Sequence, residues 1–289
     1  MKNNTLCRKV KFKVLRADHM GMCFGVRDAI ALARRVVTQR PLTVLGELVH
    51  NADVLGDLRD RGVRFEENPQ AVETQTVMIT AHGASSRARE KVQGEALQLE
   101  DATCPLVHFA HKQVRQLVSA GYHPVIIGRG GHIEVRGMTE DLDKFDIVLS
   151  REDIDQLEAH DRFGVVAQTT QPITRVLEMV EHLKKRFPAS GVKFVDTVCQ
   201  PTKQRQDSAE ALAVQSDVIL VVGGKNSNNT RELARTCRKV CQRVHHIQGP
   251  KDVQMEWISD GDTLGITAGT STPDELINSV EKKVKTFCQ

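Results

Sequence analysis

Aromatic residues are scarce in this chain of 289 residues: one Trp, one Tyr and nine Phe, 4% in all. Proteins that grip single-stranded nucleic acid use exposed aromatics and a basic excess. Net charge is only +3, so a nucleic-acid binder ranks last among the functions open to the chain. A mild positive balance suits a small anionic substrate instead. No run approaches the roughly 18 apolar residues of a membrane helix. Residues 1–13 are basic but lack the apolar core of a secretory signal. Within them Lys9, Lys11 and Lys13 alternate with Val10, Phe12 and Val14, the pattern of a strand rather than of a transit helix. Flavin and nicotinamide fingerprints are missing too, since Gly128-Arg-Gly-Gly131 does not have the dinucleotide spacing. With 40% hydrophobic and 27% charged residues, the expectation is an ordinary globular protein of the cytoplasm.

Cysteine is not scarce. Seven are present, an odd number in a long chain without a signal, which does not fit a disulfide framework. Position separates them. Six short apolar runs, 43–50, 77–83, 125–132, 165–170, 218–227 and 264–271, each end in a loop of Gly, His, Ser, Thr or Asn. Such runs suit parallel strands buried on both faces, and in open α/β sheets ligands sit beyond the carboxyl ends of the strands. The cysteines divide the six runs into pairs. Cys23 precedes Gly46 by 23 residues, Cys104 precedes Gly128 by 24, and Cys199 precedes Gly223 by 24. A helical pattern follows each cysteine: Val26, Ile30, Ala33 and Val37; Leu106, Ala110, Val114 and Leu117; Ala209, Leu212 and Ala213.

The spacing predicts an α/β fold of three pseudo-equivalent lobes, 11–103, 104–197 and 198–289, the last with a C-terminal tail. It also predicts each cysteine at a helix N-terminus, where free N–H groups favour the thiolate, the metal-binding form. Three thiolates from three lobes can hold zinc or an iron–sulfur cluster. A structural zinc site usually has a C-x-x-C pair, and none of these cysteines belongs to one. A cubane gripped by three cysteines would keep one iron free to act as a Lewis acid. The residues alone leave the choice of metal open. Cys237 and Cys241 share a helical face but have no equivalent in the other thirds, so they read as buried spectators. Cys7 and Cys288 receive no role.

His50, His82 and His132 fall at strand ends. With Ser227, Asn229 and Ser271 they make a site of donors and imidazoles for an anion. Gly83, Gly223, Gly224 and Gly269 are expected to let backbone N–H groups approach it. Glu134, two residues after His132, is the carboxylate placed to deliver a proton there.

The motifs Gly21-Met-Cys-Phe-Gly-Val26, Gly46-Glu-Leu-Val-His-Asn51, Ala81-His-Gly83 and Asp101-Ala-Thr-Cys-Pro-Leu-Val107 stand in order along the chain. Gly131-His-Ile-Glu-Val135, Gln168-Thr-Thr170, Lys225-Asn-Ser227 and Thr267-Ala-Gly269 follow them. The ordered set, over roughly residues 11–285, resembles the 4-hydroxy-3-methylbut-2-enyl diphosphate reductases, the IspH/LytB family, last enzymes of the methylerythritol phosphate route to isoprenoids.

The resemblance implies a trefoil of three α/β lobes around a central [4Fe-4S] cluster, one per chain, held by Cys23, Cys104 and Cys199. The fourth iron would take the substrate hydroxyl. His50, His82, Ser227, Asn229 and Ser271 would contact the diphosphate, while His132, Glu134 and Thr169 surround the carbinol end and Glu134 feeds protons. Met22 and Phe24 depart from the usual Phe and Ala around the first cysteine. Asn228 replaces the second of two serines and can still donate a hydrogen bond to the diphosphate. Ile133 and Pro201 also depart, Pro201 at a position that fits a first helical turn.

The expected reaction is reductive dehydroxylation to isopentenyl and dimethylallyl diphosphate, with electrons from a ferredoxin or flavodoxin. A redox-neutral cluster-dependent lyase and a non-enzymatic iron–sulfur sensor are the alternatives.

Overall fold

The structure, a computed structural model, describes residues 10–94 and 98–288. Cys7 and Lys9 lie outside them. In chain order the strands are β1 (Lys13–Arg16), β2 (Leu42–Leu45), β3 (Arg64–Glu66), β4 (Thr76–Ile79), β5 (Gln98–Asp101) and β6 (His123–Ile127). They continue with β7 (Asp146–Val148), β8 (Arg162–Ala167), β9 (Gly191–Phe194), β10 (Val218–Val222), β11 (Arg243–Ile247) and β12 (Thr263–Ala268). The helices are α1 (Phe24–Val37), α2 (Ala52–Asp60), α3 (Ser86–Gly94), α4 (Pro105–Ser119) and α5 (Ile133–Thr139). After these come α6 (Arg151–Asp155), α7 (Ile173–Arg186), α8 (Gln200–Val214), α9 (Asn228–Arg238) and α10 (Asp274–Lys285).

The chain divides into two compact units. One contains the residues before Cys23 and those after Lys203; the other is Cys23–Lys203. The larger holds two four-stranded sheets, ordered β3-β2-β4-β5 and β7-β6-β8-β9. The smaller holds one, β1-β12-β10-β11. Every pairing is parallel. The composition explains this: β10 is Val-Ile-Leu-Val-Val with all five residues buried, a strand that needs cover on both faces. Val218, Leu220 and Val222 pack with Ile277, Val280 and Val284 of α10. Ile219 and Val221 face the other way, toward Ala209, Leu233 and Cys237. In the larger unit Val125, Ile127 and Val165 meet α7 on one face, while Ile126 and Val166 meet α4 and α5 on the other.

Read from the second strand of each trio outward, the three sheets have one plan. The central pair is β2 and β4, β6 and β8, or β10 and β12, and the next strand in sequence after each member lies on its own side. The exception is the last sheet, whose final edge is β1 from the start of the chain. Lys13 pairs with Thr263 and Arg16 with Ile266. The alternation at residues 9–14 thus becomes a strand only from Lys13. Lys11 instead bonds the turn at 260–261, its N–H donating to Asp260 Oδ1 at 2.8 Å and its carbonyl accepting from Gly261 at 2.7 Å. The reversal of strand order between the central pair is the switch point where α/β sheets open toward ligands.

Candidate functional site

The three cysteines follow the edge strands and start helices. Cys23 is the N-cap of α1 and Cys104 of α4, with Pro105 filling the first helical position. Cys199 directly precedes α8, whose second residue is Pro201. All three thiols lie in the larger unit and are half-buried. Gly25 brings two of them together: a Cβ there would stand 2.5 Å from Cys104 Sγ. Burial pushes the Cys104 thiol above its ordinary pKa, and the N–H groups of Leu106 and Val107 only partly oppose it. Burial takes Cys199 to about 11, against a hydrogen bond with Thr202 at 3.0 Å. The negative charges of Cys23 and Glu134 add to both shifts. The helix ends are where the spacing put them. Their partial charge does not by itself make these two thiols thiolates, because desolvation outweighs it.

Beyond the central strands of the larger unit lie the histidines. His50 follows β2, His82 follows β4 and His132 follows β6. Their rings form a triangle with centroids 4.6, 5.7 and 5.8 Å apart. His50 Nδ1 pairs with Glu47 at 3.0 Å. His82 is held well below the usual histidine pKa by burial, then by the other two imidazoles, so it is neutral at pH 7. His132 caps α5: its Nδ1 accepts the Glu134 N–H at 3.2 Å. A neutral His132 therefore carries its proton on Nε2.

Glu134 is 1% exposed, and Oε1 accepts the Thr169 N–H at 2.6 Å. Burial raises its pKa to about 7, more than the backbone and hydroxyl bonds from Thr169 lower it. The Gln168 carboxamide braces this corner. Its Oε1 accepts from Arg129 N at 3.1 Å and Gln171 Nε2 at 3.2 Å, and its Nε2 donates to Thr170. Ile133 opens α5 and lies against Gly46.

The smaller unit carries the remaining candidates. Ser227 caps α9, its Oγ accepting the Thr230 N–H at 3.2 Å. Asn228, Asn229 and Ser271 are buried. Asn229 Oδ1 accepts the Thr270 N–H at 3.0 Å, while its Nδ2 is buried with no partner among the described residues. An orphaned amide donor at a helix N-terminus fits an anion.

The glycines are a correction. A Cβ on Gly269 would fall 2.0 Å from Thr230 Oγ1, and one on Gly223 would fall 2.6 Å from the same atom. Thr103, Val107 and His111 fill the corresponding space at Gly83. At these three glycines a protein side chain fills the place of a Cβ, and the N–H groups of Gly83, Gly223 and Gly269 are bonded to the carbonyls of Thr80, Ile247 and Val222 rather than open to an anion.

Phe24 is 41% exposed, so its bulk does not press into the core. Glu47, Gln168, Thr202 and His111 were given no role from the sequence. Glu47 stands three residues before His50, and that spacing was its one local signal. Cys237 and Cys241 sit in the apolar core of the smaller unit, and Cys288 is exposed.

The geometry also bears on the metal. Four thiolates on one zinc ion lie about 3.8 Å apart, given Zn–S bonds of about 2.3 Å. Among the described residues the one set of three candidate ligand atoms all within 4.8 Å of each other is His123, Asp146 and His160. The three thiols are therefore spread too widely for one ion, whereas a cubane offers separate corners. The His123 set is a poor metal site. Its imidazoles stack in parallel 3.8 Å apart, so their in-plane lone pairs cannot converge, and His123 Nε2 already bonds Asp146 at 2.7 Å.

Residues 14–285 match the model of the LytB protein family. The 4-hydroxy-3-methylbut-2-enyl diphosphate reductase of Aquifex aeolicus is 35% identical over 282 residues, covering 96% of this chain and 97% of the relative. The same-named protein of Caldanaerobacter subterraneus is 35% identical, covering 95% and 97%. Among solved structures, the E-1-hydroxy-2-methyl-but-2-enyl-4-diphosphate reductase of Plasmodium falciparum superposes with a TM-score of 0.89 at 26% identity, over 96% of this chain and 88% of that one. With its fold and nearly its whole length in common with these proteins, the chain belongs to the LytB family.

Proposed function

We propose that this chain is a 4-hydroxy-3-methylbut-2-enyl diphosphate reductase, the terminal enzyme of the non-mevalonate route. The allylic alcohol takes up two electrons and two protons, its C–O bond breaks, water leaves, and the carbon skeleton becomes isopentenyl or dimethylallyl diphosphate. The observation that carries this reading is Glu134, a buried carboxyl bonded to Thr169, close enough to Cys104 and Cys199 for its charge to raise their pKa values, and with its own pKa at about 7. A group poised near neutrality is suited to giving and regaining a proton in each cycle.

Cys23, Cys104 and Cys199 would hold a [4Fe-4S] cluster, and their spread and the space left by Gly25 support that fit. When bound, such a cluster supplies single electrons and one Lewis-acidic iron. The side chains do the rest. Thr169 N–H bonds Glu134 Oε1 and its hydroxyl also bonds the carboxyl, which fixes the group that carries the proton. His132, fixed by its cap bond to α5, presents Nε2–H as a donor. His50 and His82 bind phosphate oxygens. In the smaller unit Ser227, Asn228, Asn229 and Ser271 offer a phosphate neutral donors beside the α9 N-terminus. The chain is organised as three repeats of cysteine, helix and paired strands, at 11–103, 104–197 and 198–289, with β1 lent to the last. No helix among the described residues is long and apolar enough to cross a membrane. Electrons come from a ferredoxin or flavodoxin.

The test is anaerobic incubation of cluster-loaded protein with the allylic diphosphate and a reduced one-electron donor. Two electrons consumed per isoprenoid diphosphate formed is the expected result. Loss of water without electron consumption would make the chain a redox-neutral lyase, and no turnover with an intact cluster would leave it a sensor.

A further inference from the structure

His111 is the buried titratable group of the larger unit that the chemistry above does not use. It projects from α4, the helix that Cys104 caps. It is 7% exposed, and its Nε2 has no hydrogen-bond partner. Burial drives its pKa down to about 4, so the ring is neutral and acts as a thin plate.

The tip of that plate touches two glycines. A Cβ on Gly137 would lie 3.0 Å from His111 Cε1 and 3.4 Å from Nε2. A Cβ on Gly83 would lie 3.4 Å from the same Cε1, after Thr103 Cγ2 at 3.1 Å and Val107 Cγ1 at 3.2 Å. Gly83 has a second reason to be glycine, a φ of +77°. Gly137 has none: it sits inside α5 with ordinary helical backbone, where glycine is destabilising relative to alanine. Contact with His111, with the Ala84 Cα next at 3.6 Å, is what the structure shows to account for it. Each glycine belongs to a working element. Gly83 follows His82, and Gly137 is three residues after Glu134 on the same face of α5.

We propose that His111 is a positioning residue, a spacer whose ring sets the separation between the His82 loop and the Glu134 helix. The proposal rests on the reading that both groups serve one substrate. An imidazole does this better than an aliphatic chain of similar volume, because its flat edge enters the narrow space at Gly83 and Gly137. Hydrogen bonds from Ser85 to Glu140 and from the Ser86 and Arg87 N–H groups to Asp141 hold the far end of the loop to the end of α5; removing the ring lets the near end, at Gly83 and Gly137, close. Adding a methyl at Gly137 forces them apart.

The test is a double-mutant cycle on cluster-loaded protein with His111→Ala, Gly137→Ala and the pair, and with His111→Leu as the variant that keeps volume. Cluster content, thermal stability, affinity for inorganic diphosphate, kcat and KM are read for each. Each alanine change alone should lower kcat on the order of 10- to 100-fold with normal cluster content, as misplacement of about 1 Å does. The pair should be far less than multiplicative, because the new methyl occupies the space the ring vacates. His111→Leu should retain more activity than His111→Ala. A His111→Ala kcat within twofold of the parent, or multiplicative effects in the pair, would overturn the spacer role even if stability fell. If the parent protein fails to turn over the allylic diphosphate, the functional reading is what fails. The coupling in stability and diphosphate affinity then decides the spacer role separately, and its absence rejects it.

Discussion

The two units place the same kind of sheet under different chemistry. In the larger, the switch points at β2–β4 and β6–β8 carry His50, His82, His132 and Glu134, all groups that can change protonation. In the smaller, the switch point at β10–β12 carries Ser227, Asn228, Asn229 and Ser271, none of which titrates. The backbone plan sets where a ligand group can be met. The side chains then decide whether that place moves protons or only binds. Burial sharpens the contrast. It lifts Glu134 to about 7 and holds His82 neutral, whereas the orphaned Nδ2 of Asn229 stays a donor at any working pH.

The contrast breaks most completely at the cysteines. Cys23→Ser, Cys104→Ser and Cys199→Ser should each lose most of the iron and sulfide, and with them turnover. Normal content in any one would remove that residue from the ligand set. Next come the histidines. His50→Ala or His82→Ala should weaken diphosphate binding by about 1.5–3 kcal/mol, roughly 10- to 150-fold, as for hydrogen bonds to a charged group. Unchanged affinity in both would return them to a structural role.

In the smaller unit Ser227→Ala and Asn229→Ala should weaken diphosphate by about 1.5 kcal/mol each, the lower end for a hydrogen bond to a charged group. That loss should be the same from pH 6 to pH 9; a pH-dependent loss would erase the distinction between the units. The effect on the site should be smallest of all for Cys237→Ser and Cys241→Ser, which should keep full iron content although a buried hydroxyl costs about 1–3 kcal/mol of stability. α9 ends at Arg238, so the structure places only Cys237 of the two on a helix; iron loss there would mean the pair is a ligand after all.

The strand ends were legible in the sequence because a buried parallel strand must be an apolar run, and its loop must begin where the run stops. Val218–Val222 followed by Ser227 is such a case. The cysteines were legible through their near-equal spacings of 23, 24 and 24 residues to the strand-end glycines Gly46, Gly128 and Gly223. What could not be read are consequences of long-range packing. The partner of β1 is more than two hundred residues away. The roles of Gly223 and Gly269 are set by Thr230, which no local pattern links to both. The thiol at Cys199 is shifted by desolvation that depends on the closed fold. His111 looked like any core position of α4, since its meaning lies in two glycines from other elements.

Glu134 holds the central claim, that the larger unit's strand ends carry the proton chemistry. Its raised pKa means the acid is protonated below pH 7 and ionised above it. The direct measurement is kcat against pH from 6 to 9, anaerobically and with saturating reduced donor, for the parent protein and for Glu134→Gln. The account predicts that the parent rate falls as pH rises through about 7, approaching tenfold per unit. It predicts that Glu134→Gln binds cluster and substrate, turns over at least about 100-fold more slowly, and loses that limb. A parent profile that stays flat to pH 9, or near-normal turnover in the Gln variant, would contradict it.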